Sequence, residues 1–166
     1  GKAVGLVGTG AIGLRTAAIL KAFGCRLLAY SRTERQEALD MGIEYTTLED
    51  LMQRSDIISL HTPLTAQTKG LISREMLELC KPSAIIINTA RGAVIDNKAL
   101  AEMLNKDCIA GAGIDVYEYE PPLQSNHPLL YAKNAVLLPH VAFATQESFS
   151  MRVDIILRNL DEYLAR

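Results

Sequence analysis

Three polar residues, far apart in the sequence, carry the side chains that proton-transfer chemistry needs. Arg91, Glu120 and His140 each follow an apolar run, either near its end or on the loop after it. An imidazole, whose unperturbed pKa is about 6.5, can give and retake a proton near neutral pH, and a nearby carboxylate raises that pKa by stabilising the imidazolium. A guanidinium binds a carboxylate through two parallel hydrogen bonds. The set therefore indicates acid–base chemistry on a substrate that carries a carboxylate.

A glycine-rich stretch near the start of the chain has the spacing of a dinucleotide-binding turn. Residues 8–13 read Gly-Thr-Gly-Ala-Ile-Gly, between an apolar run at 4–7 and an amphipathic segment at 14–23. The first glycine allows a tight turn, the second lets a pyrophosphate approach the backbone, and the third lets the helix pack on the strand. The free N–H groups of the new helix then face the phosphates. The pattern predicts a dinucleotide site at Gly8, Gly10, Ala11, Ile12 and Gly13.

Each of these features also has a purely structural interpretation. The glycine stretch can be a turn that is merely tight. His140, after Pro139, can lie in a capped turn, Glu120 can be solvated, and Arg91 can be a structural ion-pair partner. Chemistry is favoured because parallel strands bring their carboxyl ends to one edge of a sheet, where all these groups can meet.

The end of the predicted second strand, Arg26 to Tyr30, is where a fold of this kind selects its cofactor. An acidic residue there binds the ribose hydroxyls of NAD, whereas this chain has Ser31-Arg32-Thr33. The missing carboxylate removes repulsion against a 2′-phosphate, and Arg32 supplies donors that match one. The sequence therefore predicts NADP over NAD, with Ser31 and Arg32 in the site. The local alternative is that Ser31 or Thr33 caps the next helix, because Ser31 and Glu34 fit a capping box.

The elements that must position these residues alternate between strand and helix along the whole chain. Such alternation predicts an α/β fold, a Rossmann-type doubly wound parallel sheet in three layers, α/β/α. A helix is predicted over residues 34–41, and Asp96 and Thr145 are predicted to cap two later helices. Apolar runs predict buried strands at residues 56–60, 83–88, 109–114 and 134–138.

The strand at residues 56–60 stops at His61-Thr62-Pro63, because Pro lacks the N–H that a central strand donates. Its carboxyl end is expected at the ligand-binding edge of the sheet. His61 and Pro63 are therefore predicted to form one wall of an adenosine pocket. The alternative is an ordinary turn with an exposed His.

Composition and charge disfavour several other classes of function. The 166 residues are 49% hydrophobic, which suits one domain, residues 1–166, around a doubly covered sheet. The net charge of −2 and the even scatter of charges give no basic stripe, so a nucleic-acid partner is not supported.

Cys25, Cys80 and Cys108 show no disulfide or metal pattern and favour a cytoplasmic protein. No apolar stretch reaches the ~20 residues of a membrane helix. A start without Met, on the first strand, suggests a piece of a longer protein.

Several stretches together resemble the nucleotide-binding domain of the D-isomer-specific 2-hydroxyacid dehydrogenases, over essentially the whole chain. That family includes phosphoglycerate, D-lactate and glyoxylate/hydroxypyruvate reductases. The matching stretches are residues 8–13, His61-Thr62-Pro63-Leu64-Thr65 with Thr68, Thr89-Ala90-Arg91-Gly92, Asp115-Val116-Tyr117 leading to Glu120-Pro121, and Pro139-His140.

The resemblance implies hydride transfer between a nicotinamide and a small 2-oxo or 2-hydroxy acid. In this family pattern Arg91 binds the substrate carboxylate, His140 is the acid/base and Glu120 is its partner. Asp115 would hold the nicotinamide carboxamide. The remaining cofactor contacts would come from Thr89 and from the His61 loop with Pro63 and Thr68. A homodimer is implied as well.

The chain departs from the family pattern in ways that shape the expectations. Ser31-Arg32 replaces the acidic residue common after the second strand, and Phe143 stands where small residues are frequent, so we expect it to shape the substrate pocket. The substrate domain of the family is absent, so we expect cofactor binding with weak or no turnover. A second possible function, from another class, is a dinucleotide-sensing binding protein like the C-terminal binding corepressors. A third is a domain that only dimerises.

Overall fold

The structure is a computed structural model that describes residues 1–119 and 123–165. Glu120, one of the candidate catalytic residues, lies outside the described residues. The strands are β1 (Ala3–Val7), β2 (Arg26–Tyr30), β3 (Glu44–Tyr45), β4 (Ile57–Leu60), β5 (Ile85–Asn88), β6 (Gly111–Ile114) and β7 (Ala135–Leu137). The helices are α1 (Ala11–Ala22), α2 (Gln36–Asp40), α3 (Leu48–Arg54), α4 (Arg74–Glu78), α5 (Asn97–Asn105) and α6 (Gln146–Leu164), with 3₁₀ turns at Gly92–Val94 and Pro128–Tyr131.

The strands form one parallel sheet in the order β3-β2-β1-β4-β5-β6-β7. The direction of winding reverses between β1 and β4, and ligands of open α/β sheets bind in the crevice at the carboxyl ends beside such a reversal. The predicted Rossmann-type fold is therefore confirmed. The glycine turn after β1 lies at this reversal, which is where the fold places a dinucleotide.

Alternating side chains of β1 show how the sheet is covered. Val4 and Leu6 belong to a core cluster on the side of α1 and α2. Gly5 faces α3, where an added Cβ would overlap Ser55 Oγ and lie 2.5 Å from Leu51 Cδ2, so only glycine lets α3 pack this closely. Helices therefore cover both faces of the β1 region.

The covering of the two faces is unequal farther along the sheet. The larger core cluster packs α3, α4 and α5 on one face. On the other face, Ile85 of β5 and Val136 of β7 are exposed, and α6 has no buried residue within the described part of the chain. No helix in the described residues is both long and apolar enough to span a bilayer.

The amino ends of the strands are anchored by a charged group that the sequence analysis did not single out. Asp56, just before β4, accepts hydrogen bonds from Lys81 Nζ at 2.9 Å and from the Ala3 backbone N–H at 2.8 Å. Lys81 Nζ also donates to the Arg54 carbonyl at 2.7 Å. These bonds favour the ionised carboxylate, so Lys81 first and the Ala3 N–H second lower the pKa of Asp56 to about 2.

The low pKa of Asp56 predicts a defined loss of stability in acid. Its usual value is 3.8, so on acidification the unfolded chain binds this proton before the folded one. The stabilisation is complete above pH about 4 and is lost as the pH falls toward 2. Urea unfolding from pH 2 to 7 should therefore show a shallower acid decline for Asp56→Asn, with lower stability than wild type at pH 7.

The matched control for this experiment is Asp107→Asn. Asp107 pairs with Lys133 at 3.5 Å with both side chains largely exposed, so its removal should change the free energy of unfolding little. Parallel acid declines for wild type and Asp56→Asn would show that the Asp56 group does not stabilise the fold.

Candidate active site

The glycine turn is built as its spacing predicts. Gly8 has φ +105°, and an added Cβ would lie 2.8 Å from the His61 carbonyl oxygen. A Cβ on Gly13 would overlap the Gly8 carbonyl oxygen, so this helix position also needs glycine. Above Gly10 there is open space, with no heavy atom within 4 Å of an added Cβ.

The amino end of α1 opens onto that space. Leu14 is the residue whose N–H first bonds back along the helix, to the Gly10 carbonyl at 2.9 Å. The preceding N–H groups, at Ala11, Ile12 and Gly13, are those that a helix leaves for an anion. Ala11 and Ile12 are exposed. An open cradle of backbone donors fits the pyrophosphate of a dinucleotide.

His61 lies under the glycine turn and is half-buried, so the alternative of an exposed His is wrong. Its Nε2 is 2.9 Å from the hydroxyl of the buried Ser59, and burial lowers the pKa of the imidazole. Burial therefore favours the neutral imidazole over the charged one at this position.

The loop after His61 is closed by Thr68. The Thr68 hydroxyl donates to the Pro63 carbonyl at 2.6 Å and accepts from the Thr65 N–H at 2.8 Å. Thr68 thus shapes the wall that His61 and Pro63 are predicted to form.

The loop after β2 does not cap the next helix. Helix α2 begins at Gln36, later than the predicted start at residue 34, and its N-cap is Arg35, with no side-chain cap. The capping-box interpretation of Ser31 and Glu34 is therefore wrong, because the helix starts beyond their reach. Arg32 is exposed and Ser31 is half-buried at the carboxyl end of β2.

The turn that carries Arg91 is held by a residue that the sequence analysis missed. Asn88, the buried last residue of β5, accepts from the Ala90 N–H at 3.0 Å and donates to the Arg91 carbonyl at 3.1 Å. A buried amide at the end of an apolar run is the signal that could have revealed it. Arg91 itself is exposed, and its Nη1 donates to the Ala90 carbonyl at 2.6 Å. Thr89, in the same turn, is also exposed.

Gly92 joins the Arg91 turn to the loop after β6. A Cβ on Gly92 would overlap the backbone of Tyr117, so the two loops pack main chain against main chain. Asn97 Nδ2 adds a buried bond to the Gly92 carbonyl at 3.2 Å. The position of Arg91 is therefore tied to the segment that begins with Asp115.

Asp115 directly follows β6 and is 1% exposed. Its two carboxylate oxygens accept backbone N–H bonds from Val141 and Ala142, each at 2.8 Å. Both donors follow His140, whose φ of +58° lies in the left-handed region. Asp115 thus stabilises the turn that presents the candidate acid/base, a contact that sequence reasoning did not foresee.

His140 lines an apolar cavity of about 650 Å³. The ring of Phe143 meets the imidazole edge-to-face, with centroids 5.8 Å apart, and lines the same cavity. Its other walls include Tyr117 and Leu137. A large aromatic ring at residue 143 therefore narrows the space beside the imidazole.

The sheet order brings these groups to one edge. Arg91, Asp115 and His140 follow the carboxyl ends of β5, β6 and β7, which are neighbours in the sheet. The glycine turn and His61 follow β1 and β4 at the same edge. The predicted contribution of Glu120 falls outside the described residues and stays a prediction.

Comparison with known proteins decides the family. The sequence model for the NAD-binding domain of D-isomer-specific 2-hydroxyacid dehydrogenases matches residues 1–142. The chain belongs to this family. The resemblance inferred from the motifs is thereby confirmed.

Relatives of this chain include a glyoxylate reductase from Aeropyrum pernix, 49% identical over 149 residues that make up 89% of this chain and 44% of the relative. Among solved structures, D-lactate dehydrogenase from Aquifex aeolicus, complexed with NAD and lactic acid, superposes with a TM-score of 0.91 at 31% identity, covering 99% of this chain and 54% of that one. An acyclic imino acid reductase in complex with NADPH and D-Arg superposes with a TM-score of 0.87 at 34% identity, covering 99% and 51%.

The chain spans about half the length of the curated relatives it matches. These relatives are named as reductases, so they support an oxidoreductase and give no support to the corepressor alternative.

Proposed function

We propose that this chain is the cofactor domain of an enzyme that reduces a small 2-oxo acid with a nicotinamide dinucleotide, preferring NADP. The observation that carries the proposal is the shared carboxyl edge of the sheet, where the open glycine turn follows β1 and where Arg91, Asp115 and His140 follow β5, β6 and β7. The reductase names of the relatives support the reaction class.

Each residue has a defined part in the proposed reaction. When bound, a reduced nicotinamide supplies the hydride. His140 supplies the proton that the new hydroxyl needs, and Glu120 stabilises the imidazolium before transfer. Arg91 binds the substrate carboxylate through two hydrogen bonds and orients the adjacent carbonyl. Asp115 holds the His140 turn through its bonds to Val141 and Ala142. From the family resemblance, we propose that Asp115 also binds the nicotinamide carboxamide.

The preference for NADP rests on the loop after β2. The similar structures named above bind NAD in one case and NADPH in the other, so the shared fold does not by itself select the cofactor. Ser31 and Arg32 place a hydroxyl and a guanidinium where an acidic residue would repel a 2′-phosphate.

The whole enzyme is proposed to be a cytoplasmic homodimer whose substrate domain lies outside residues 1–166. This chain alone should bind dinucleotide and turn over 2-oxo acids weakly or not at all, because the cleft lacks an opposite wall. Cofactor titration of the chain, and steady-state kinetics of the full-length protein on a panel of 2-oxo acids with both nicotinamides, test this. A chain that binds no dinucleotide, or a full-length protein that reduces no 2-oxo acid, would contradict the proposal.

Removing the guanidinium of Arg32 should shift cofactor choice. We expect Arg32→Ala to weaken the binding of NADPH, relative to the binding of NADH, by roughly ten- to a hundredfold, the effect of losing a hydrogen bond to a charged group. Dissociation constants for both cofactors, measured by fluorescence titration, give this ratio. Arg26→Ala is the matched control, since Arg26 begins β2 at the opposite edge of the sheet. An unchanged ratio in Arg32→Ala would place the selection elsewhere.

A further inference from the structure

Tyr45, the last residue of β3, connects two loops of the candidate cofactor site. Its hydroxyl donates to the Thr9 hydroxyl at 2.9 Å and accepts from the Arg35 backbone N–H at 3.0 Å. Thr9 lies inside the glycine turn and is only 1% exposed. Arg35 ends the loop that carries Ser31 and Arg32 and forms the N-cap of α2. One phenol therefore bridges the phosphate turn and the loop that is predicted to select the cofactor.

The backbone around Tyr45 keeps this bridge in register. Tyr45 pairs with Ala29 of β2, and the Thr46 N–H donates to the Ala29 carbonyl at 2.9 Å. The Gly8 N–H donates to the Tyr30 carbonyl at 2.8 Å, so the glycine turn starts from the same strand end. These backbone hydrogen bonds already fix the strand ends from which the two loops begin. The Tyr45 bridge therefore sets the spacing between the parts of the loops that lie farther from the sheet.

We infer that Tyr45 is a positioning residue for cofactor recognition. A dinucleotide places its pyrophosphate on the glycine turn and its adenosine ribose on the loop after β2. Holding both loops through one hydroxyl sets the spacing of these two subsites before binding, so the cofactor need not order the second loop. This inference rests on the proposed function and adds to it a residue that does not itself need to touch the cofactor.

Tyr45→Phe keeps the ring and removes the bridge. We expect this variant to bind NADPH and 2′-phospho-ADP-ribose about three- to tenfold more weakly than wild type, the effect of one ordinary hydrogen bond. Binding of nicotinamide mononucleotide, which does not reach the loop after β2, should be unchanged. Isothermal titration of the three ligands gives these ratios. Hydrogen exchange at the Arg35 amide should become faster in the variant, a local readout that needs no ligand.

Three further variants separate positioning from general destabilisation. Thr9→Val removes the hydroxyl that accepts the Tyr45 hydrogen bond, so its effect on NADPH affinity should not add to that of Tyr45→Phe in a double-mutant cycle. Thr9→Ser keeps a hydroxyl and should retain near wild-type ratios between the ligands. Tyr131→Phe is the matched control, because it also removes a bonded phenol, which donates to the Ser125 carbonyl at 2.8 Å outside the cofactor loops. It should change none of the ligand ratios.

The outcomes distinguish this inference from the proposed function. If wild type binds NADPH and Tyr45→Phe binds all three ligands as well as wild type does, the inference is overturned and the proposed function stands. If Tyr45→Phe weakens NADPH and nicotinamide mononucleotide equally, Tyr45 is only structural and the inference is again overturned. If wild type binds no dinucleotide, the proposed function fails and this inference fails with it.

Discussion

Replacing His140 by alanine in the full-length enzyme should lower turnover by about 10²- to 10⁴-fold, the range for loss of a general acid. The dissociation constant of the cofactor should stay near its wild-type value. The physical reason is separation within one edge of the sheet, because the glycine turn follows β1 whereas His140 follows β7 at the end of the strand order. Stopped-flow turnover and equilibrium titration of NADPH measure the two quantities.

The backbone of His140 calls for a second variant. Its φ of +58° is strained for alanine but is readily adopted by asparagine. His140→Asn should therefore keep the turn that Asp115 holds through Val141 and Ala142, and still lose turnover to the same extent as His140→Ala. Near-normal turnover in His140→Asn would mean that the imidazole is not the acid. Equal loss of cofactor affinity and turnover in both variants would make the residue structural.

Substituting the glycines of the turn should give two different kinds of loss. Gly10 has ordinary extended dihedrals, φ −71° and ψ −174°, and open space above it, so Gly10→Ala should fold with a near wild-type melting temperature. Its new methyl group would extend into the open space that we propose for the pyrophosphate. We expect NADPH to bind roughly ten- to a hundredfold more weakly, as for the loss of a hydrogen bond to a charged group.

Gly13→Ala should lose stability as well as binding. Alanine is the better helix former, so any loss comes from the overlap of its Cβ with the Gly8 carbonyl oxygen. Overpacking of this kind costs about 1–3 kcal/mol. Thermal unfolding and NADPH titration of the two variants, compared side by side, separate the steric effect from the ligand effect. Wild-type affinity in Gly10→Ala would show that phosphate does not approach the backbone there.

Much of the fold could be predicted because its signals are local. The apolar run at 26–30 became β2 with the same bounds, and the predicted caps at Asp96 and Thr145 both accept the expected N–H bonds, from Ala99 and Ser148. The predicted start of α2, at residue 34, was wrong. The observed N-cap is Arg35, and an arginine side chain gives no capping signal in the sequence.

The contacts that organise the site could not be predicted in the same way, because their partners are far apart in the sequence. Nothing near Tyr45 indicates that its hydroxyl meets Thr9, and nothing near Asp115 indicates Val141. The resemblance to the family supplied roles for Arg91 and His140 and named Glu120 as the partner of His140. It did not indicate that Asn88 and Asp115 hold the turns of Arg91 and His140. Asn88 and the packing of Gly92 on Tyr117 emerge only when neighbouring strand ends are placed side by side.

The Tyr45 bridge also bears on how coenzyme choice can drift during evolution. The phenol accepts from the main chain of residue 35, so any amino acid except proline can occupy that position without breaking the contact. Side chains at 31–34 can then be exchanged while the path of the loop is retained. From the proposed role of Tyr45 we therefore expect point substitutions at residues 31–34, with no insertion or deletion in the loop, to be enough to change the preference between phosphorylated and unphosphorylated adenosine.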